Sequence, residues 1–174
     1  MAFRRKKSEG KIAHKKTVVD GITFDSKMES DYYVYLKAEK KAGRVKSFEL
    51  QPEFILQPKF FILDGQVVTE DDPLYKEKDK ARKAFNKANP DNKIKIVQAI
   101  KYISDFKVVY KDNSIKVIDP KGVKTADFKL KEKMLNFKYP EIDFMCVKYD
   151  SKTKSWLEYS EWEALKKTRK KKVK

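Results

Sequence analysis

Two strand-like apolar runs, IKYISDFKVVY (100–110) and SIKVID (114–119), are separated only by KDN, and nothing else in the sequence constrains the fold as strongly. So short a connection predicts an antiparallel β-hairpin. Downstream, ADFKLKEKMLNFKYP reads as a helix up to Pro140 and IDFMCVKY as a further buried strand. A helix over 126–138 would then be the crossover between SIKVID and IDFMCV, making those two strands parallel.

Upstream, SKMESDYYVYLKAEKKA (26–42) has apolar or aromatic residues at 28, 32, 35 and 36 and a lysine-rich end before Gly43. That is the pattern of an amphipathic helix with a glycine stop. Ser26 and Glu29 have capping-box spacing, which puts Glu29 in the first turn. VKSFELQPEFILQPKFFIL predicts short edge-type strands bent at Pro52 and Pro58. The charged segment 64–97 predicts a helical excursion with Leu74, Ala81, Phe85 and Ala88 as its buried stripe. A short strand near KSWLEY and a helix from Ser160, where Ser160 and Glu163 repeat the capping-box spacing, close the chain. The expected fold is α/β, a mixed central β-sheet flanked by helices.

At 174 residues the chain has room for one domain with a real core. The expected organisation is a basic arm over 1–20, one domain over 21–163 with a charged helical insertion at about 64–97, and a basic tail over 164–174. No apolar run approaches the roughly 20 residues of a membrane span, and no hydrophobic stretch follows the N-terminal charges. Cytoplasmic placement is expected, the host cytoplasm if the chain is phage-encoded, without membrane partners. The single cysteine, Cys146, excludes an intrachain disulfide and a cysteine metal cage. The single histidine, His14, leaves no material for a zinc site or a histidine nuclease.

The net charge is +16, and residues 1–16 and 164–174 each carry seven Lys/Arg, opposed by one Glu. Two basic ends on a nearly neutral body suit phosphate neutralisation with counterion release. The bland alternative is that lysine-rich tails keep the protein soluble.

Asp105 and Asp119 each interrupt a strand-like apolar run. An unpaired buried carboxylate costs several kcal/mol, so each needs a partner. A divalent cation is a natural one, since Mg²⁺ takes hard oxygen ligands from one or two carboxylates and completes its shell with water and phosphate. Lys121, two residues after Asp119, points to the same face of a strand. The hairpin sets a test. A two-residue loop at Asp112-Asn113 would put Asp119 opposite Phe106 and the two acids on opposite faces. A three-residue loop over 111–113 sets Asp105 opposite Asp119, with Ile103, Val109, Ile115 and Val117 sharing a face. Each residue also has a structural reading: Asp119-Pro120 as strand termination, Asp105 as the start of an edge strand, Glu29 as a cap, Lys121 as one surface lysine among many.

Taken together, FDSKMESDYY, SDF and VIDPKG resemble the motifs of the PD-(D/E)XK nuclease superfamily. The F-x-S-x-x-E helix start, the D-F hairpin ending in acid-x-Lys-Gly, the lysine-rich helix and P-E-I-D-F are similar to phage endonuclease I type Holliday-junction resolvases. They also resemble small uncharacterised phage proteins of that superfamily. The resemblance covers residues 22–60 and 98–149. It implies that Asp105 and Asp119 ligate Mg²⁺, replaceable by Mn²⁺, that Glu29 ligates a second metal or orients its water, and that Lys121 positions or activates the nucleophile. It implies a DNA endonuclease acting on Holliday junctions or branched DNA, working as a homodimer. Ser104 stands in place of the proline of the family name, Asp119 where the resolvases have Glu, and Pro120 at x; residues 64–97 have no counterpart.

For phosphate contacts the sequence offers Arg4, Arg5, Lys6, Lys7, Lys15 and Lys16 in the first arm, Lys124, Lys129 and Lys133 after the hairpin, and Arg169 and Lys170 in the tail. No segment resembles a base-reading helix, which favours structure-selective cutting. The competing expectations are a non-catalytic phage nucleic-acid-binding protein, and a nuclease of the same fold acting on linear or specific duplexes.

Overall fold

The computed structural model describes residues 16–171. A two-stranded hairpin, β1 (Thr17–Val19) and β2 (Ile22–Phe24), precedes helix α1 (Lys27–Lys41). Strand β1 therefore shortens the expected 1–20 arm. The capping box forms as its spacing predicts: Ser26 is the N-cap, its Oγ accepts from Glu29 N at 3.2 Å and donates to Glu29 Oε1 at 2.7 Å. At the other end Gly43 takes φ 74°, Gly43 N–H donates to Lys40 O at 3.1 Å and Arg44 N–H to Glu39 O at 3.0 Å. These paired bonds close the last turn over a left-handed residue that glycine adopts without penalty.

Next come β3 (Val45–Leu50), β4 (Glu53–Gln57), β5 (Phe60–Leu63), β6 (Gln66–Thr69), helix α2 (Tyr75–Ala88), β7 (Ile100–Ile103), β8 (Phe106–Tyr110) and β9 (Ile115–Pro120). Helix α3 (Ala126–Lys138), β10 (Asp143–Asp150), β11 (Ser155–Glu158) and helix α4 (Tyr159–Lys171) complete the chain. Five strands form the central sheet in the order β11-β10-β9-β8-β3. Strands β9 and β10 pair in parallel, joined by the α3 crossover, and the other neighbours are antiparallel. The fold is thus mixed α/β.

Helices cover both faces of the sheet. Tyr32, Tyr33 and Leu36 of α1 pack on Phe106, Val108, Ile118 and Val147. On the other face Phe128 and Leu135 of α3 pack with Cys146, Tyr102 and Leu56. Leu36 is 1% exposed and Leu135 0%; burying one such side chain stabilises by about 1.5–3 kcal/mol.

Several expectations are corrected. IKYISDFKVVY is not one strand: β7 pairs with β4, β8 pairs with β3 and β9, and the chain passes between the two sheets at Ser104-Asp105. Ile103 consequently lies 53% exposed, off the expected face. The segment 64–97 contains β6, paired with β5 across Asp64-Gly65, as well as a helix. In that helix the buried residue is Arg82, held by Asp79 at 2.7 Å, while Phe85 is 39% exposed and Leu74, just before it, 56%. Ser160 does not cap α4, which begins at Tyr159; its hydroxyl donates to Glu158 Oε1 at 2.8 Å. Residues 164–171 continue α4 and are not a tail.

Candidate active site

The hairpin register decides whether the two strand acids meet. Phe106 pairs with Ile118, Lys107 with Val117, Val108 with Lys116 and Val109 with Ile115. The connection is the three-residue loop 111–113: Tyr110 N–H donates to Ser114 O at 2.9 Å, and Asn113 takes φ 67°. Carried one step beyond Phe106, this register faces Asp105 towards Asp119. The odd loop therefore gives the one-face arrangement that a two-residue loop would have destroyed.

Asp105 sits where the chain leaves one sheet for the other. Its carbonyl accepts from Gln51 N–H at 3.0 Å, and Ser104 N–H donates to Pro52 O at 3.1 Å, so the bend between β7 and β8 is tied to the bend between β3 and β4. The fully buried Ser104 also donates from Oγ to Ile118 O at 3.2 Å. The backbone carrying Asp105 is thereby fixed on both sides.

Asp119 is 0% exposed, on the α3 face of β9, beside Cys146 of β10. Pro120 follows without breaking the sheet. Lys121 N–H donates to Val147 O at 2.9 Å, and successive N–H groups of a strand point to opposite neighbours. The donor that proline lacks therefore falls on the β8 side, past Phe106, where that ladder has ended.

The Lys121 ammonium joins the two acids, 2.6 Å from Asp119 Oδ1 and 3.8 Å from Asp105 Oδ2. The hydroxyl of Tyr102 donates to the other Asp119 oxygen, Oδ2. Sequence reasoning missed Tyr102; its only signal is a hydroxyl-bearing aromatic three residues before Asp105. Burial pushes the Asp105 carboxyl up to about 9, reinforced by the Asp119 carboxylate and opposed by Lys121. Burial works against the charge of Lys121, but Asp119 and Asp105 outweigh it and raise its pKa. Burial, then the Asp119 charge, also raises the Tyr102 hydroxyl far above its usual value, which keeps it a donor.

Asp105 Oδ2 and Asp119 Oδ1 are buried, and the cation that meets them is the Lys121 ammonium. Two such oxygens aimed at one ammonium fit a hard divalent cation, which takes carboxylate oxygens and completes its shell with water and phosphate. Glu29 stands near enough for its charge to act on both Asp105 and Lys121, while its own oxygens are bonded at the start of α1. Among the described residues no group of three or more His, Cys, Asp or Glu is placed to hold a metal ion. The reason is architectural: α1 packs on the opposite face of the sheet, and both Glu29 oxygens serve its N-terminus, Oε1 with Ser26 Oγ and Oε2 with Asp25 N–H at 3.2 Å. Glu29 does line a small cavity of about 80 Å³ with Asp105 and Gln51.

The expected phosphate contacts divide. Arg4, Arg5, Lys6, Lys7 and Lys15 lie outside the described residues, as does His14, which is not among these contacts. Lys16 makes an exposed ion pair with Asp25 at 3.8 Å, and Lys129 and Lys133 stand exposed on α3. Lys124 is paired with Glu132 at 2.8 Å. Arg169 is engaged within the fold, its guanidinium holding Asp150 through two bonds of 2.7 and 3.0 Å. Lys170 remains exposed. No helix of the described residues is long and apolar enough to cross a membrane.

The fold and site define a mixed α/β protein with a buried acid–lysine group at the bend between two sheets. The chain belongs to the family described as protein of unknown function (DUF1064), which it matches over residues 9–155. No curated protein and no solved structure matches it.

Proposed function

We propose that this chain is a metal-dependent DNA endonuclease of the PD-(D/E)XK type, hydrolysing backbone phosphodiesters of junctions or branched DNA. The observation that carries the reading is the meeting of Asp105, Asp119 and Lys121, with one buried oxygen of each acid turned to the same ammonium. Asp105 and Asp119 would hold Mg²⁺, or Mn²⁺ in its place. When bound, the ion would neutralise charge on the phosphate and lower the pKa of a water.

The chain's own residues do the rest. Lys121 Nζ, donor-only and charged, would hold the attacking water or a phosphate oxygen beside the two acids. Tyr102 keeps the remaining Asp119 oxygen occupied, so that Oδ1 is the one presented. Glu29, on the rim of the small cavity beside Asp105, would orient a water from across it. Exposed Lys129 and Lys133 would touch the DNA backbone without reading bases. A second copy would supply the cut in the other strand.

Cleavage of supercoiled and four-way-junction DNA with Mg²⁺ or Mn²⁺ tests the proposal against Asp119→Ala and Lys121→Ala. Loss of about a hundredfold or more in rate is expected for each, the usual scale for removing a group that stabilises developing charge. If all three proteins bind DNA and none cuts it, the chain is a non-catalytic nucleic-acid-binding protein. Cutting of linear duplexes with indifference to junctions would instead make it a nuclease of another substrate class.

A further inference from the structure

A row of alternating ammonium groups and aromatic rings leads away from the acid–lysine site. Lys121 Nζ lies 5.4 Å from the centre of the Phe128 ring and Lys124 Nζ 5.7 Å. Lys124 Nζ is also 5.4 Å from the Tyr159 ring, and Lys148 Nζ 5.7 Å. Lys148 Nζ then stands 3.8 Å from the Trp162 ring and Lys166 Nζ 4.8 Å. The first two lysines are neutralised, Lys121 by Asp119 and Asp105 and Lys124 by Glu132. Lys148 and Lys166 form no ion pair among the described residues.

Two like charges gathered on one indole repel each other and call for an anion between them. Desolvation, then Lys166, lowers the pKa of Lys148. Lys148 Nζ donates to the carbonyl of Gly122, the residue after Lys121, which anchors Lys148 beside the site. The cavity there measures about 400 Å³ and is lined by Gly122, Val123, Lys148, Tyr159, Trp162 and Lys166; further along α4, Lys167 and Lys170 add positive charge against a single acid, Glu163. That volume takes a phosphate and its sugar.

The geometry points to a phosphate subsite, formed by Lys148 and Lys166 on the Trp162 ring, that holds a backbone phosphate of the DNA strand flanking the bond at Lys121. The subsite deepens the proposed function and rests on its DNA-binding half. Charge complementarity and continuity with Lys121 through Gly122 argue for a strand rather than a detached anion. Both lysines sit on elements of the folded body, β10 and α4, so they would fix the register of the strand.

Fluorescence anisotropy with a fluorescein-labelled 20-base-pair duplex, in the absence of added metal and over a range of salt, tests it. The double variant Lys148→Gln/Lys166→Gln should lose about tenfold in affinity and lower the salt slope by about one, for the single phosphate that the two lysines hold. Trp162→Phe, which removes the larger ring, should lose affinity in the same direction. A charge-matched control, Lys46→Gln/Lys111→Gln at the hairpin end of β8 and β9, should lose much less. If the double variant matches that control in affinity and slope, the subsite is overturned. Should the double variant fold poorly, Lys166→Gln alone, on the exposed side of α4, is expected to show half the slope change, and a slope equal to wild type would overturn the subsite in the same way.

Inorganic phosphate should weaken duplex binding by the wild type more than chloride does at equal ionic strength and show no such excess with the double variant; phosphate that binds while leaving duplex affinity unchanged would assign the cavity to a free anion and overturn the strand assignment. Because the measurement involves no cleavage, the two proposals fail separately. Binding through these lysines without cutting sinks the hydrolase alone, and normal cutting with unchanged binding in the double variant sinks the subsite alone.

Discussion

The hydroxyl of Tyr102, in the strand paired with β4, donates to Oδ2 of Asp119, in the middle of the five-stranded sheet. One hydrogen bond thus joins two sheets at the point where the chain passes between them, and it leaves Asp119 Oδ1 for the Lys121 ammonium. Without that bond Asp119, 0% exposed, would present an unsatisfied oxygen to a nearly apolar layer containing Phe128, Phe144 and Cys146.

Tyr102→Phe removes this donor while keeping the ring. The orphaned carboxylate oxygen should cost ~1–3 kcal/mol, a fall of about 3–10 °C in Tm for a chain of this size. If Asp119 holds Mg²⁺ as proposed, losing the group that orients it should also weaken Mg²⁺ affinity by about 10–100-fold. Thermal melts and Mg²⁺ titration check both; an unchanged Tm with unchanged Mg²⁺ affinity would rule out the orienting role.

Asp105 makes stability depend on pH in an unusual direction. An unfolded aspartate titrates near ~3.9, whereas burial holds the folded carboxyl at about 9. Between those values the folded chain binds the extra proton, so raising the pH destabilises it. The metal-free protein should lose Tm steadily from about pH 5 to pH 9, Asp105→Asn should flatten that slope, and Mg²⁺ should reduce it by favouring the charged form. A wild-type slope equal to that of Asp105→Asn would contradict this.

The loop that sets the register passes through the left-handed region at one position. Asn113 takes φ 67°, where a β-branched residue pays a steric cost that Gly and Asn avoid. Asn113→Gly and Asn113→Val both lose the 3.0 Å bond from Lys46, so their difference isolates the backbone. Urea unfolding should place the valine variant ~1–2 kcal/mol below the glycine variant.

Asp150 anchors α4 to the end of β10. The Arg169 guanidinium, then the Thr153 N–H, hold its carboxyl well below the usual range. A depressed folded pKa contributes stability that is present above the unfolded value and lost as pH falls through the folded one. Acid titration of α-helical signal should therefore show a component below about pH 4 that Asp150→Asn lacks, and hydrogen exchange in α4 should be faster in that variant at neutral pH.

Much of the fold was legible because it rests on local signals. Ser26, Glu29 and Gly43 delimit α1, Pro52 and Pro58 punctuate the strands, and the helix between SIKVID and IDFMCV required β9 and β10 to be parallel. Asp64-Gly65 carries a hairpin signal just as local, although the charged residues that follow it mask the short strand β6. The break at Ser104-Asp105 has no comparable mark, since apolar residues continue on both sides and only partners from β3, β4 and β9 choose different sheets for the two halves.

The same division runs through the candidate site. By itself the sequence determined which residues carry unusual chemistry, two acids in apolar strands with a lysine two positions on, because buried charge is costly wherever it falls. Only the tertiary structure decided how they meet: a three-residue loop brought Asp105 and Asp119 to one face, the second sheet delivered Tyr102, and α1, packed on the far face, kept Glu29 at its own cap. Register and sheet choice are set by pairing between segments distant in the chain, and no local pattern of residues encodes a distance between strands.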